Sequence, residues 1–272
     1  MTSWHANDVE ANGIRLHYTR TGGDKPPVLL THGFSDDGLC WTPVAKALEA
    51  DYDVIMLDAR GHGHSDGPEE GYSSAHHAAD VAGVIAALGL RRPAVLGHSM
   101  GAATALALAS GYPELPGAIL LEDPPQWWVP QPDAEAGRDA WRQRMWAWVV
   151  ALKRKTREEL VAQQRAETPE WSEEELGPWA DAKLRLSINV MSRTPNVASD
   201  AGQLGRIACP ALLITSDPER GGLVTPEGAT ALQALVPQLQ VARITEAGHS
   251  IRRDQLGRYL EVVRGFLAEH AR

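Results

Sequence analysis

The sequence has few cysteines and no long apolar run. Its two cysteines, Cys40 and Cys209, form neither a CxxC pair nor the Cys/His spacing of a zinc site. A disulfide scaffold is therefore excluded, and this cysteine usage is typical of a reducing compartment, so we expect a cytoplasmic protein. No apolar run approaches the roughly 18 residues that a membrane span requires, and the first residues lack the basic and apolar regions of a secretory signal. We expect no membrane partner.

Positive charge is also scarce. The 272 residues include 26 Lys and Arg against 35 Asp and Glu, which gives a formal net charge of −9. No basic stripe is present to displace the counterions of a phosphate backbone, so a nucleic-acid partner is not expected. The 43 % hydrophobic content is that of a globular protein. A chain of this length can bury about 70–75 % of its unfolded surface, enough for a pocket that holds a small-molecule substrate. The oligomeric state is left open.

Short apolar runs alternate with helical patterns along most of the chain. The runs predict strands at residues 27–31, 54–57, 94–96, 118–121, 211–215 and 241–244, and the patterns between them predict helices at 42–50, 75–88, 100–110, 226–235 and 254–271. An additional hairpin is expected over residues 7–21, with Asn12-Gly13 at its turn. This alternation indicates right-handed crossovers and an α/β fold with a doubly wound, mostly parallel sheet.

The middle of the chain differs from the rest, because no strand pattern occurs between residues 126 and 199. Helices are predicted there at 134–152, 157–166 and 172–191. We therefore predict a core formed by residues 1–125 and 200–272, with residues 126–199 as a helical lid over the edge of the sheet where such folds bind ligands. Seven of the nine tryptophans lie in the lid: Trp127, Trp128, Trp141, Trp146, Trp148, Trp171 and Trp179. We expect Trp127, Trp128 and Trp146 to line an apolar pocket, the alternative being that they join the lid to the core.

Two motifs predict a nucleophile and the groups that stabilise an oxyanion. GHSMG at residues 97–101 lies between an apolar strand pattern and an Ala-rich helix pattern. Strand, sharp turn and helix are the setting of a nucleophile elbow, which would expose Ser99 at the strand end. His32-Gly33-Phe34 follows another predicted strand. The backbone N–H groups of Phe34 and Met100 are therefore the expected oxyanion hole.

A third motif supplies a base. A serine hydroxyl is a poor nucleophile until a base removes its proton. His249, in the sequence Ala247-Gly248-His249, follows the last predicted strand and should lie at the same sheet edge as Ser99.

In their order along the chain, these motifs resemble the α/β-hydrolase family. The resemblance covers nearly the whole chain and includes RGHGHS at residues 60–65, the mid-chain insertion and Cys209-Pro210 before a strand. It implies an eight-stranded sheet with a triad in the order serine, acid, histidine, in which Ser99 is the nucleophile and His249 the base. Ala102 departs from the pattern, because many relatives have a glycine there.

The same resemblance leaves the acid open. In similar hydrolases a carboxylate commonly stands nine residues after the proline of the Cys-Pro strand start, which is Glu219 here. The glycines at 221 and 222 make this loop unusual, so Asp217 is an alternative. Asp123 is another, since some family members take the acid from the end of the preceding strand. Glu219 is the first choice.

The function expected from these residues is that of a serine hydrolase. Its substrate would be an ester, lactone, thioester or activated amide of small to medium size and apolar character, cleaved through an acyl-enzyme with no metal and no organic cofactor. Ser99 argues against the similar epoxide hydrolases and haloalkane dehalogenases, which use an aspartate at the elbow. Three alternatives remain: a cofactor-free haloperoxidase or perhydrolase, a C–C bond hydrolase, and a non-catalytic ligand receptor on the same scaffold.

Overall fold

Eight strands form one sheet in a computed structural model that describes residues 4–129, 134–192 and 201–271. Their order in the sheet is β1-β2-β4-β3-β5-β6-β7-β8. The first three in that order pair antiparallel and all the others pair parallel, which confirms the predicted doubly wound, mostly parallel sheet. The strands are β1 (His5–Ala11), β2 (Ile14–Arg20), β3 (Pro27–Thr31), β4 (Asp53–Leu57), β5 (Ala94–His98), β6 (Ala118–Glu122), β7 (Ala211–Thr215) and β8 (Leu239–Arg243).

The central strands are apolar throughout because helices cover both faces of the sheet. Every residue of β4, β5, β6 and β7 is buried, as expected for parallel strands between two helical layers. Successive side chains point to opposite faces, so Leu29 of β3 belongs to one apolar core while its neighbours Val28 and Leu30 belong to the other. The strand ends that carry the predicted site therefore rest on a rigid, doubly packed base.

The helices follow the strands in the predicted alternation. They are α1 (Thr42–Leu48), α2 (Ser74–Ala87), α3 (Met100–Gly111), α4 (Ala134–Leu152), α5 (Arg157–Glu167), α6 (Glu173–Arg185), α7 (Pro226–Leu235), α8 (Ile251–Asp254) and α9 (Leu256–His270). The predicted helix at 254–271 is in fact preceded by the short helix α8, which begins two residues after His249. None of the helices in the described ranges has both the length and the apolar character needed to cross a lipid bilayer.

The segment between β6 and β7 contains α4, α5 and α6, and it has no strand within its described residues. It has a small apolar core of its own around Leu160 and Trp179. The predicted helix at 172–191 is shorter than expected: α6 ends at Arg185, and a separate 3₁₀ turn, Ile188–Met191, follows. Residues 130–133 and 193–200 of the predicted lid lie outside the described residues.

Candidate active site

Ser99 occupies the turn between β5 and α3. Its backbone has φ 53° and ψ −112°, a left-handed conformation that is costly for a residue with a side chain. Its N–H donates to the carbonyl oxygen of Glu122 at 2.9 Å, which ties the turn to the end of β6. A glycine is required at 97, where a Cβ would lie 2.3 Å from the backbone of Gly101. The turn thus presents the Ser99 side chain at the carboxyl edge of the sheet.

Gly101 is the position at which this turn tolerates a side chain least. A Cβ there would lie 2.1 Å from the carbonyl oxygen of Thr31 in β3. We expect Gly101→Ala to lower the free energy of unfolding by about 2–3 kcal/mol, because backbone atoms have to move apart. The matched control is Gly111→Ala in the same helix, where a Cβ meets nothing within 4 Å and the change should stay within about 1 kcal/mol. Urea unfolding measures both, and equal destabilisation of the two variants would contradict this account.

The backbone amides of Phe34 and Met100 are available at this edge. Met100 is the first residue of α3, so its N–H has no acceptor within the helix. The N–H of Phe34 donates no hydrogen bond among the described residues. Gly33 brings the two loops together: a Cβ on it would lie 2.7 Å from His98 Nδ1 and 3.7 Å from Ser99 Cβ. The helix N-terminus adds a partial positive charge that favours an anion here.

His249 is held by a buried carboxylate, that of Asp123. Nδ1 of His249 lies 2.7 Å from Asp123 Oδ2, and the carboxylate is fully buried. The same carboxylate accepts the backbone N–H groups of Leu223 and Val224, so its orientation is set from two sides. Because it accepts at every contact, Nδ1 must carry the proton, which leaves Nε2 with a lone pair.

Two further contacts hold the His249 loop against the elbow. His98 Nε2 lies 2.9 Å from the carbonyl oxygen of His249, and the two rings are 4.7 Å apart. Among the described residues, Ser99 Oγ and His249 Nε2 make no hydrogen bond. Such bonds commonly tighten only when substrate binds.

The structure does not bring Glu219, the first choice for the acid, together with this histidine. Glu219 lies exposed on the 3₁₀ turn Pro218–Arg220 and, among the described residues, makes no hydrogen bond or ion pair with His249. Asp217 accepts instead from Arg243 at 2.8 Å and from the N–H of Glu246 at 2.7 Å. Asp123, the remaining alternative, directly follows β6, which pairs with β5, the strand that directly precedes Ser99. The backbone of Asp123 itself has a positive φ of 44°.

Comparison with known proteins agrees with this architecture. A family model described as the alpha/beta hydrolase fold matches residues 26–171, which is more than half of the chain. A full-length relative, N-formylmaleamate deformylase from Pseudomonas putida, is 34 % identical over 265 residues, covering 96 % of this chain and 95 % of the relative. The chain belongs to the α/β-hydrolase family. It is accordingly a hydrolase.

Two solved structures superimpose closely on this α/β hydrolase. N-formylmaleamic acid deformylase from Pseudomonas putida S16 matches with a TM-score of 0.78 and 25 % identity, over 95 % of this chain and 100 % of that one. E-2-(acetamidomethylene)succinate hydrolase matches with a TM-score of 0.79 and 22 % identity, over 98 % and 100 %. At that identity the second match shows the fold alone.

The three tryptophans predicted to line a pocket lie in different environments in this hydrolase. Trp128 is buried in the core, and its Nε1 donates to the carbonyl oxygen of Gly228 in α7 at 2.8 Å. Trp127 packs edge-on against Trp128, with ring centroids 5.9 Å apart. Trp146 is 52 % exposed. The structure thus gives Trp127 and Trp128 contacts that join the insertion to the core, and it does not bring Trp146 together with them.

Sequence reasoning missed the apolar side chains that surround Phe34. The Phe34 ring packs against Trp141 of α4 with centroids 5.5 Å apart. Met145, Trp148 and Val149 of the same helix form an apolar cluster with Phe34. Residues 141, 145, 148 and 149 recur at intervals of three and four, so the helical periodicity of α4 was the signal that would have identified this face.

The other histidines of the site are buried. Burial, together with the neighbouring His62, lowers the pKa of His32 to about 3. Burial, together with Arg252 and His249, holds the pKa of His98 well below its ordinary value. Both rings are therefore neutral near pH 7 and serve as hydrogen-bond partners of the backbone.

A buried ion cluster lies beside the site. It consists of three carboxylates and three cations: Asp36, Glu122, Glu175, Lys183, Arg252 and Arg253. Arg252 contacts Glu122 at 3.3 Å and Asp36 at 3.1 Å, and its guanidinium stacks 4.3 Å from the Trp41 ring. Burial alone would raise the pKa of Asp36, but the surrounding cations outweigh it and hold that pKa well below the ordinary value. No group of three or more potential metal-binding side chains occurs in the part of the chain that the structure describes.

Proposed function

We propose that this chain is a serine hydrolase that cleaves an acyl bond through a covalent acyl-enzyme. Ser99 is the nucleophile, His249 the general base, and Asp123 the group that orients the imidazole. The observation that carries this proposal is the 2.7 Å contact between His249 Nδ1 and the buried carboxylate of Asp123, at the sheet edge where the strained turn presents Ser99. A nucleophile, a base and an orienting carboxylate together are the requirements for activating a serine hydroxyl.

The proposed reaction uses four proton transfers, all through the same imidazole nitrogen. Nε2 of His249 accepts the Ser99 hydroxyl proton while Oγ bonds to the acyl carbon, and the oxyanion formed lies against the N–H groups of Phe34 and Met100. The tetrahedral intermediate then expels the leaving group, which takes the proton from Nε2. A water molecule, deprotonated by the same nitrogen, attacks the acyl-enzyme, and collapse of the second intermediate returns the proton to Oγ. The steps require no cofactor.

The substrate we propose is a small molecule with an acyl group on oxygen or nitrogen. The name of the Pseudomonas putida relative describes a nitrogen-linked acyl group, N-formyl. The apolar cluster around Phe34 supports an apolar portion of the substrate next to the scissile bond. We propose that residues 126–199 form a lid on a core of residues 1–125 and 200–272. The lid would cover this cluster, because α4 supplies the aromatic side chains that face Phe34.

Labelling and burst kinetics test this function together. A fluorophosphonate should modify Ser99, identified by mass spectrometry, and p-nitrophenyl esters of two to eight carbons should give a burst of p-nitrophenol equal to the enzyme concentration. N-formylmaleamate and 2-(acetamidomethylene)succinate are assayed in parallel for release of formate and acetate. Saturable binding of these compounds without labelling and without a burst would reject the enzyme in favour of a ligand receptor.

A further inference from the structure

The loop that carries the Phe34 amide is held through consecutive backbone carbonyls. We define residues 33–37 as the oxyanion loop. The carbonyl oxygen of Gly33 lies 2.8 Å from His32 Nδ1, and that of Phe34 lies 2.7 Å from His62 Nε2. The next carbonyl, that of Ser35, accepts from Lys183 Nζ at 2.9 Å. Because a peptide group is planar, fixing a carbonyl also fixes the N–H of the next residue. The Gly33 carbonyl therefore sets the direction of the Phe34 N–H. The Ser35 carbonyl sets that of the Asp36 N–H, which in turn donates to Gly33 O at 3.1 Å.

Lys183 differs from the two histidines because it comes from the insertion. It lies on α6, its side chain is 1 % exposed, and both of its acceptors belong to the oxyanion loop: Ser35 O and Asp36 Oδ1, each at 2.9 Å. A buried ammonium group is costly unless it is paired and hydrogen-bonded. Its Nζ also lies 4.7 Å from the ring of Trp179, one helical turn away. This side chain therefore joins α6 to the oxyanion loop directly.

Besides Lys183, Asp36 has two cationic partners, which it shares with Glu122 and Glu175. Asp36 also contacts Arg252 and Arg253, each at 3.1 Å. A variant without the ammonium group would leave Asp36 paired with two guanidinium groups. Arg185 at the end of α6 also contacts the loop, at Asp37 Oδ2 at 3.2 Å. Among the described residues, Lys183 alone supplies the hydrogen bond to Ser35 O.

We propose that Lys183 is a positioning residue for the oxyanion hole. It holds the oxyanion loop so that the Phe34 N–H points at the oxyanion, and the docking of α6 thereby contributes to transition-state stabilisation. This inference rests on the proposed serine-hydrolase function. An oxyanion contact is made mainly in the transition state, so its loss should lower the chemical rate and leave substrate affinity nearly unchanged.

Lys183→Met tests the inference through single-turnover acylation by p-nitrophenyl acetate. We expect the acylation rate constant to fall about 10- to 100-fold, while the half-saturating substrate concentration stays within about twofold. Lys183→Gln retains an N–H donor for Ser35 O, so its acylation rate constant should fall less. If circular dichroism shows that Lys183→Met does not fold, Lys183→Gln is the variant to measure. The matched control is Lys153→Met in the same insertion, because Lys153 donates to the carbonyl of Leu184 rather than to the oxyanion loop. Its rate should be unchanged.

Ser99→Ala measured alongside separates the two proposals. Suppose that Ser99→Ala is inactive and that a folded Lys183 variant has an acylation rate constant within twofold of that of the original protein. The positioning role is then wrong and the serine mechanism stands. The positioning role is equally overturned if the Lys183 variants raise the half-saturating concentration without lowering the rate. If Ser99→Ala itself retains turnover, the proposed function fails.

Discussion

Ser99→Ala is expected to abolish turnover and to leave the fold intact. The hydroxyl makes no hydrogen bond within the described residues, so its removal leaves no buried group unpaired. The loss of the nucleophile prevents acyl-enzyme formation, and the expected decrease in kcat is about 10⁴-fold or more. Steady-state hydrolysis of p-nitrophenyl acetate measures the activity, and urea unfolding should show a free energy within about 1 kcal/mol of that of the unchanged protein.

Ser110→Ala is the matched control for this prediction. Ser110 lies on α3, the helix that begins directly after Ser99, and its hydroxyl contacts the carbonyl oxygen of Ala107 at 3.3 Å, far along the helix from the site. We expect kcat within about twofold of the unchanged protein. More than a few per cent of the original kcat in purified Ser99→Ala would assign the nucleophile to another residue.

The sequence predicts the core of this fold well because the central strands are buried on both faces. Strands β3 and β7 lie within the limits that their apolar runs predict. The last strand was predicted at 241–244 and occurs at Leu239–Arg243. As the edge strand of the sheet it exposes Gln240, Val241 and Arg243, so its apolar signal is weaker and its start is shifted.

Local motifs locate the serine and histidine turns, whereas the choice of acid depends on the tertiary structure. GHSMG predicts a strand, a turn and a helix from adjacent residues, and the structure has all three. The rule of nine residues after Pro210 selects Glu219. In the structure Glu219 is exposed on a 3₁₀ turn that ends at Gly221, whose backbone is left-handed. Which loop reaches the imidazole is set by the order of β6 and β7 in the sheet and by the N–H groups that hold Asp123.

The buried ion cluster could not be inferred from sequence patterns. Charged residues on a helix normally mark its solvent face, yet Glu175 and Lys183 of α6 are buried. Their burial is possible because each is paired with an opposite charge, Lys183 with Asp36 and Glu175 with Arg253. These partners come from distant parts of the chain. Spacing along one helix holds no information about such partners.

Asp123→Asn is expected to lower kcat/KM about 10³- to 10⁴-fold. An asparagine amide oxygen at the position of Oδ1 can still accept the N–H groups of Leu223 and Val224, which directs the NH₂ group at His249 Nδ1. Nδ1 must then be the acceptor, so the proton moves to Nε2, and this nitrogen can no longer take the proton of Ser99. Ester hydrolysis measures the loss, and the HSQC spectrum of histidine ring nitrogens reports the change of tautomer.

Glu219→Gln and Asp217→Asn are the matched carboxylate controls, since both belong to the loop that the sequence favours. Glu219 is exposed, so Glu219→Gln should leave kcat/KM within about threefold of the original value. Asp217 holds Arg243 and the N–H of Glu246, so Asp217→Asn should affect stability more than kcat/KM. A loss in Glu219→Gln that exceeds the loss in Asp123→Asn would return the acid to the loop after β7. It would also require that loop to rearrange, because its 3₁₀ turn exposes Glu219 while the imidazole is bound to Asp123.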